Sequence, residues 1–322
     1  MRRYLSARLA QSLIVVLLVT TISFFLIRLA PGDPFSFVGD FTMSASARDQ
    51  LRAQFGYDRP VIEQFVLFLG NVARGRLGYS HSMHRYVGDV IADVLPRTLL
   101  LMSVALVLSF AIGITVGVLQ AVRRGTWLDR SLSGVLMLFY SIPDFWLALM
   151  ALLAFAYWLP IFPAGGMIDQ IMHDYMSLGG RLRDVAAHLV LPALTLALLA
   201  AAGIARYQRA ALLDVLPQDF VRTARAKGLG ERAIVWKHAL RNALLPIITL
   251  IGLSLPALVG GTFFVEKVFS WPGMGYVAAN AIASRDYDLV TGSVIVGGIM
   301  VTLGSLLADL LYAAADPRLR AR

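Results

Sequence analysis

Asp144 is the residue whose type and position most invite chemistry. It follows Pro143 inside an apolar stretch from Ser131 to Leu159, and an ionised carboxylate near the middle of such a span costs at least about 2.5 kcal/mol. A group held there faces the protein interior. Two roles are open to it: meeting a cationic group on a transported solute, or pairing with a neighbouring helix or partner subunit. Asp309 and Arg28 lie near span ends and can snorkel to the interface. His81 and His84, with Met83 between them, supply donors suited to transition ions, but two loop histidines without further ligands fall short of a site. His173 beside Asp174 is no stronger. The chain has no cysteine, so thiolate ligands, disulfides and cysteine nucleophiles are excluded together. An intramembrane enzyme would need paired catalytic groups at bilayer depth; Asp144 and His188 are the only candidates, and His188 sits at an external span end. Neither a catalytic set, a metal site nor a cofactor is expected.

A second kind of chemistry is electrostatic docking, and the run from Arg206 to Arg241 carries it with eight Lys and Arg residues. Pro217 and Gln218 separate an upstream helix from a new start at Asp219, a good N-cap. Phe220 to Lys227 then forms two helical turns ending at Gly228, a natural left-handed stop. A second amphipathic stretch runs from Glu231 to Leu244, with Pro246 just beyond. Short helix, glycine, longer helix is an odd arrangement for a mere connector. One reading is a docking element; the other is a positively charged hairpin held by anionic lipid, at about 1 kcal/mol for each Lys or Arg near such a surface. No Gly-x-x-x-x-Gly-Lys-Ser/Thr run occurs to cradle phosphates, so the chain does not hydrolyse nucleotide by itself.

The elements that position these residues are membrane helices. Hydrophobic residues make up 58% of the chain, charged residues 15%, and mean hydropathy is +0.70, more apolar surface than a soluble fold can hide. Six stretches reach the roughly 20 residues a hydrocarbon core requires: Leu9 to Leu29, Thr98 to Val122, Ser131 to Leu159, Leu189 to Ala205, Ala243 to Val265 and Leu289 to Leu311. The first is too long for a secretory signal and has no cleavage site before Pro31, so it reads as an uncleaved anchor. Placing the N-terminus inside puts 17 basic residues against 5 acidic ones on the cytoplasmic side and 12 against 13 outside. That asymmetry selects an N-in, C-in topology; the formal charge of +9 reflects it rather than nucleic-acid binding.

The expected fold is therefore an all-α membrane protein of six transmembrane helices. It divides into an N-terminal tail and first helix (1–29), an external helical segment (30–97), a five-helix transmembrane core with its basic loop 206–241 (98–315) and a short tail (316–322). In the external segment Pro60 opens a helix with Phe65, Leu69 and Val72 on one face, and Val87, Ile91 and Val94 repeat the pattern. Pro143, Pro192, Pro246 and Pro256 interrupt the spans. Gly113 and Gly117 form a small-xxx-small pair, a site of close helix packing.

The run Asp219-Phe220-Val221-Arg222-Thr223-Ala224-Arg225-Ala226-Lys227-Gly228-Leu229, followed by His238 to Pro246, resembles the permease subunits of peptide-type (dipeptide, oligopeptide, nickel) ATP-binding-cassette importers. Pro31-Gly32-Asp33-Pro34, Asp58-Arg59-Pro60, Gly75-Arg76-Leu77-Gly78, Ser141-Ile142-Pro143, His188 to Leu194, Glu266 to Phe269, Pro272 to Gly275 and Asp316-Pro317-Arg318 extend the resemblance over nearly the whole chain. Where that transporter class often has Glu-Ala-Ala, this chain has Arg222-Thr223-Ala224, and the closing Leu-Pro comes late, at Leu245-Pro246, as in the peptide branch. The resemblance implies that the short helix is a coupling helix seated on a separate ATPase subunit, with Asp219, Phe220, Arg222, Thr223, Ala224, Lys227, Gly228 and Leu229 as the docking residues; Asp144 stays open between a pathway residue and a paired carboxylate. It also implies two ATP-binding subunits, a second permease, an extracytoplasmic solute-binding protein, and residence in a bacterial or archaeal plasma membrane. The rival reading, an ion-coupled secondary transporter using Asp144, predicts inverted repeats and several intramembrane carboxylates. The solute stays open among dipeptides, oligopeptides, nickel chelates, glutathione and oligosaccharides.

Overall fold

The computed structural model describes residues 2–29, 50, 53, 58–260 and 262–315. The Pro31 to Pro34 motif, the Asp316 to Arg318 motif and the whole tail lie outside them. Helices α1 (Arg2–Leu29), α2 (Val61–Ala73), α3 (Val87–Val122), α4 (Trp127–Ser141), α5 (Asp144–Leu152), α6 (Leu178–Val215), α7 (Asp219–Ala226), α8 (Glu231–Ala243), α9 (Leu245–Ser254), α10 (Ala257–Gly260), α11 (Phe263–Val268), α12 (Met274–Ala283) and α13 (Tyr287–Ala315) dominate the chain. A hairpin of two-residue strands, β1 (Tyr79–Ser80) and β2 (Arg85–Tyr86), is the sheet among the described residues.

Among the described residues, four helices are long and apolar enough to cross a bilayer: Ala10–Leu29, Val87–Val122, Leu178–Val215 and Tyr287–Ala308. The other two expected spans are not single helices. Between α4 and α5 the axis turns by 105°, and between α8 and α9 by 52°. Pro143 explains the first break: it lacks an N–H and drives Ile142 to extended backbone, φ −79° and ψ 132°. Beyond α5 the chain continues as a π-helical stretch, Leu153–Trp158. Pro246, in the first turn of α9, marks the second break, and Pro256 precedes α10, so the stretch read as a continuous fifth span is helical in pieces. Pro192, by contrast, lies inside an unbroken α6.

Contacts group the chain into two units. The first comprises Met1–Thr98, Val259–Phe263 and Pro272–Leu306. Here Pro60 is the N-cap of α2 as expected, and Phe65 and Phe68 of α2 pack on Phe24 of α1 with ring centroids 5.3 and 5.0 Å apart. Val87, Ile91 and Val94 are not a separate external helix: they are the first turns of α3, buried against Met274, Val277, Ala281 and Leu289. The hairpin is clamped by Asp286, a buried carboxylate. Its Oδ2 accepts the Ser80 hydroxyl at 2.7 Å, the Ser82 N–H at 2.9 Å and the Ser82 hydroxyl at 2.7 Å, while Oδ1 accepts the Leu289 N–H at 3.2 Å. One side chain thus fixes the hairpin and caps α13 together.

The second unit comprises Leu99–Leu258, Phe264–Trp271 and Leu307–Arg322. Its core alternates small and large residues: Ala193, Leu189 and Trp271 with Leu101 and Ala105 in one cluster, Phe110, Ile204 and Ile247 in another. The Gly113 and Gly117 pair does face α6. A methyl group on Gly113 would meet Ile204 at 2.7 Å, and one on Gly117 would meet the Ala205 carbonyl oxygen at 2.6 Å. The helices approach as closely as their backbones allow.

Candidate functional site

Helix α7 is short but held firmly. Val221 and Ala224, three residues apart on one face, are buried in a cluster with Leu212 and Val215 of α6, Val118 and Ala121 of α3, and Ile234, Val235 and Ala239 of α8. The cap differs by one residue from the expected one: Gln218 precedes the helix with extended backbone, and Asp219 is its first residue. Asp219 still favours that end, because a carboxylate in the first turn opposes the helix dipole. Its side chain is 97% exposed and lies 3.7 Å from Arg222. At the far end Gly228 has φ +76°, its N–H reaches the Arg225 carbonyl at 2.9 Å, and the Leu229 N–H reaches the Ala224 carbonyl at 3.3 Å. That pair of bonds is a Schellman stop, with glycine at the left-handed position.

The outer face of α7 presents Phe220, Arg222, Thr223 and Lys227, with Gly228 and Leu229 beyond it, all exposed. Ala224 is the exception in the expected docking set, because it points into the chain's own core. Arg225 turns sideways and grips Glu231 of α8 at 2.7 and 3.3 Å. The guanidinium holds the Glu231 carboxyl below its usual range, and Glu231 in turn raises Arg225. This exposed pair braces the turn between α7 and α8 and adds little stability.

Beneath α7 lies an ion pair that the sequence reading missed. Arg209 of α6 donates to both carboxylate oxygens of Asp129, at 3.1 and 3.0 Å, and Asp129 also accepts the Gly125 N–H at 3.0 Å. Asp129 is buried in the first turn of α4. The signal was available: Thr126 caps α4 and the acidic residue three positions on is the pattern of a capping box. What sequence spacing could not supply was the partner 80 residues away.

Asp144 lies at the break between α4 and α5 rather than within a continuous helix. It opens α5, is half-buried, and accepts the N–H of Phe145 at 2.8 Å. Free N–H groups and the positive end of the helix dipole make this a better place for a carboxylate than mid-helix. His188 is taken up locally: its Nδ1 lies 2.8 Å from the Asp184 carbonyl and 3.1 Å from the Asp184 carboxylate, to which His173 Nδ1 also comes at 2.6 Å. Asp169, in the loop before α6, accepts the N–H groups of Met172 and Ile171, which hold its carboxyl below the usual range. His84 occupies the hairpin turn with φ +52°. Among the described residues, no group of three or more His, Asp or Glu side chains is placed to hold a metal ion.

These features match known proteins over the whole chain. Residues 113–321 match the family model described as binding-protein-dependent transport system inner membrane component, and residues 1–102 match the model of its N-terminal region. The oligopeptide transport system permease protein AppB of Bacillus subtilis is 37% identical, with 99% of each chain aligned. The dipeptide transport system permease protein DppB of Escherichia coli is 34% identical, again with 99% of each aligned. Among solved structures, a chain of the MetNI methionine ABC transporter in inward-facing conformations aligns with a TM-score of 0.51 and 25% identity, over 72% of this chain and 95% of that one.

Proposed function

Because the chain belongs to the family of binding-protein-dependent transport system inner membrane components and is a multi-pass permease subunit of an ATP-binding-cassette importer, we propose that it carries di- or oligopeptides across the plasma membrane. In this reading it forms half of a translocation pathway beside a second permease. Two ATP-binding subunits drive the cycle, and an extracytoplasmic binding protein delivers the solute. The N-terminus and the basic loop face the cytoplasm.

The observation that carries the coupling role is the two-faced geometry of α7. Its inner face, Val221 and Ala224, is locked into the chain's core, while Phe220, Arg222, Thr223 and Lys227 face outward. A helix rigidly joined to α3, α6 and α8 but open on its other side can pass a partner's movement inward. Only differential contacts with that partner can bias one pathway state over another. The peptide cargo is supported by the names of the relatives. The test is association: a nucleotide-binding subunit and a second permease co-purify with this chain from mild detergent extracts. If neither does across several mild detergents, the importer assembly is refuted.

For Asp144, a pathway role rests on its half-buried place at a helix break. Asp144→Asn is expected to slow transport of solutes with a free amino terminus by about tenfold, the effect of one lost charged hydrogen bond, and to leave ATPase assembly intact. Uptake assays over several peptides decide this, and equal rates for all of them would leave Asp144 a structural carboxylate only.

A further inference from the structure

In the first unit a cleft of about 830 Å³ opens where α1 ends, walled by α2, the hairpin and the first turn of α3. That volume lies within the range of about 300 to 1,000 Å³ common to small-molecule sites. The cleft carries charge of both signs: Arg28 and Arg76 against Asp89 and Asp288. Asp288 is anchored, its Oδ2 accepting the Tyr79 N–H at 3.2 Å. The backbone wraps it so closely at Gly78, φ +95°, that a methyl group there would lie 2.4 Å from the same oxygen. Arg76 and Asp89 are exposed, and their side chains make no hydrogen bond or ion pair with another described residue. The Tyr79 and Tyr86 rings meet edge to face at 5.6 Å beside them, surfaces that attract a cation.

The surroundings of the cleft are apolar. Leu26 and Leu29 of α1 and Ile62, Val66 and Leu67 of α2 are all exposed, although α2 packs its phenylalanines on the outer end of α1. A cleft with paired charges at the end of a membrane helix, flanked by bare aliphatic side chains, fits a molecule with a zwitterionic head and hydrocarbon tails. We propose that the cleft binds an aminophospholipid: its phosphate beside Arg76 and Arg28, its primary ammonium at Asp89 near the tyrosines, and its acyl chains along α1 and α2. A primary ammonium donates hydrogen bonds to Asp89, as a choline head cannot. A purely anionic head would leave Asp89 and Asp288 facing like charge. This inference goes beyond the transport reading and does not depend on the ATPase or the cargo.

The test is native mass spectrometry of the detergent-purified transporter complex after incubation with vesicles of phosphatidylethanolamine, phosphatidylcholine and phosphatidylglycerol in equal parts. Phosphatidylethanolamine should be retained over the other two by about tenfold, the worth of one charge-assisted hydrogen bond. Asp89→Asn should reduce it to the level of phosphatidylcholine, and Arg76→Gln should lower retention of both. Equal retention of all three lipids, or unchanged retention in Asp89→Asn, overturns the proposal. So does displacement of the lipid by free alanyl-phenylalanine, which would assign the zwitterion site to solute instead. Should either variant melt early, Asp89→Glu and Arg76→Lys decide the matter: both keep the charge and must keep the lipid.

Discussion

Phe220→Glu is expected to abolish peptide-stimulated ATP hydrolysis and to reduce association with the nucleotide-binding subunit by about 30-fold, while leaving the fold intact. The magnitude follows from the roughly 2 kcal/mol or more that an aromatic anchor at an interface contributes, and the added carboxylate enlarges it. The fold should survive because Phe220 is 37% exposed and sits at the edge of the buried face, outside the cluster that holds Val221 and Ala224. The matched control is Ala224→Glu, which puts the same charge on the inner face among Leu212, Ile234 and Val235. That variant should lose expression and thermal stability first, since an unpaired buried charge is not tolerated. Gly228→Ala tests the stop separately. Nothing crowds the position, so its cost is confined to a left-handed backbone, about 1 to 2 kcal/mol. Thermal melts and ATPase assays on the reconstituted complex read all three. Normal stimulated hydrolysis by Phe220→Glu would show that α7 does not dock the ATPase through this face.

The contrast between Phe220 and Ala224 also shows where sequence reasoning reached and where it stopped. Hydropathy located the long apolar segments, and Gly228 gave the end of α7 to the residue, because left-handed backbone has a chemical signature in glycine. The facing of α7 was legible in principle from Val221 and Ala224 at helical spacing. The family motif obscured it by presenting the helix as one docking unit. The breaks at Pro143 and Pro246 were flagged as disruptors, yet neither the 105° nor the 52° turn follows from proline alone. The angle depends on what packs on each half, and that is tertiary information. The clamp of Asp286 on Ser80 and Ser82 spans more than 200 residues, as Arg209 spans 80 to reach Asp129. A single sequence carries no signal that links such partners, since the two carboxylates and the arginine read as ordinary surface charges and the serines as ordinary turn residues.

Gly117→Ala is expected to destabilise the second unit by about 1 to 3 kcal/mol, the usual cost of overpacking, against the up to about 1 kcal/mol that alanine gains over glycine in a helix. The new methyl would lie 2.6 Å from the Ala205 carbonyl oxygen, 2.7 Å from Gln208 Cβ and 3.1 Å from the Arg209 nitrogen. Two of these neighbours are backbone atoms and the third is fixed to backbone, so no side chain can rotate away. Helices α3 and α6 must separate. Gly134→Ala on α4 is the internal control: nothing lies within 4 Å of its added methyl, so it should be neutral or slightly stabilising. The functional consequence follows from position. Arg209 is one of the groups displaced, and its guanidinium carries the two bonds to Asp129. Val118, one residue from Gly117, lies in the core that seats Val221 and Ala224. Movement at the α3–α6 seam therefore reaches both the start of α4 and the seat of α7, and Gly117→Ala should uncouple hydrolysis from transport before it prevents assembly. Melting in detergent alongside uptake and ATPase rates separates the effects. If Gly117→Ala and Gly134→Ala melt alike and transport alike, the close approach of α3 and α6 is not what transmits the motion.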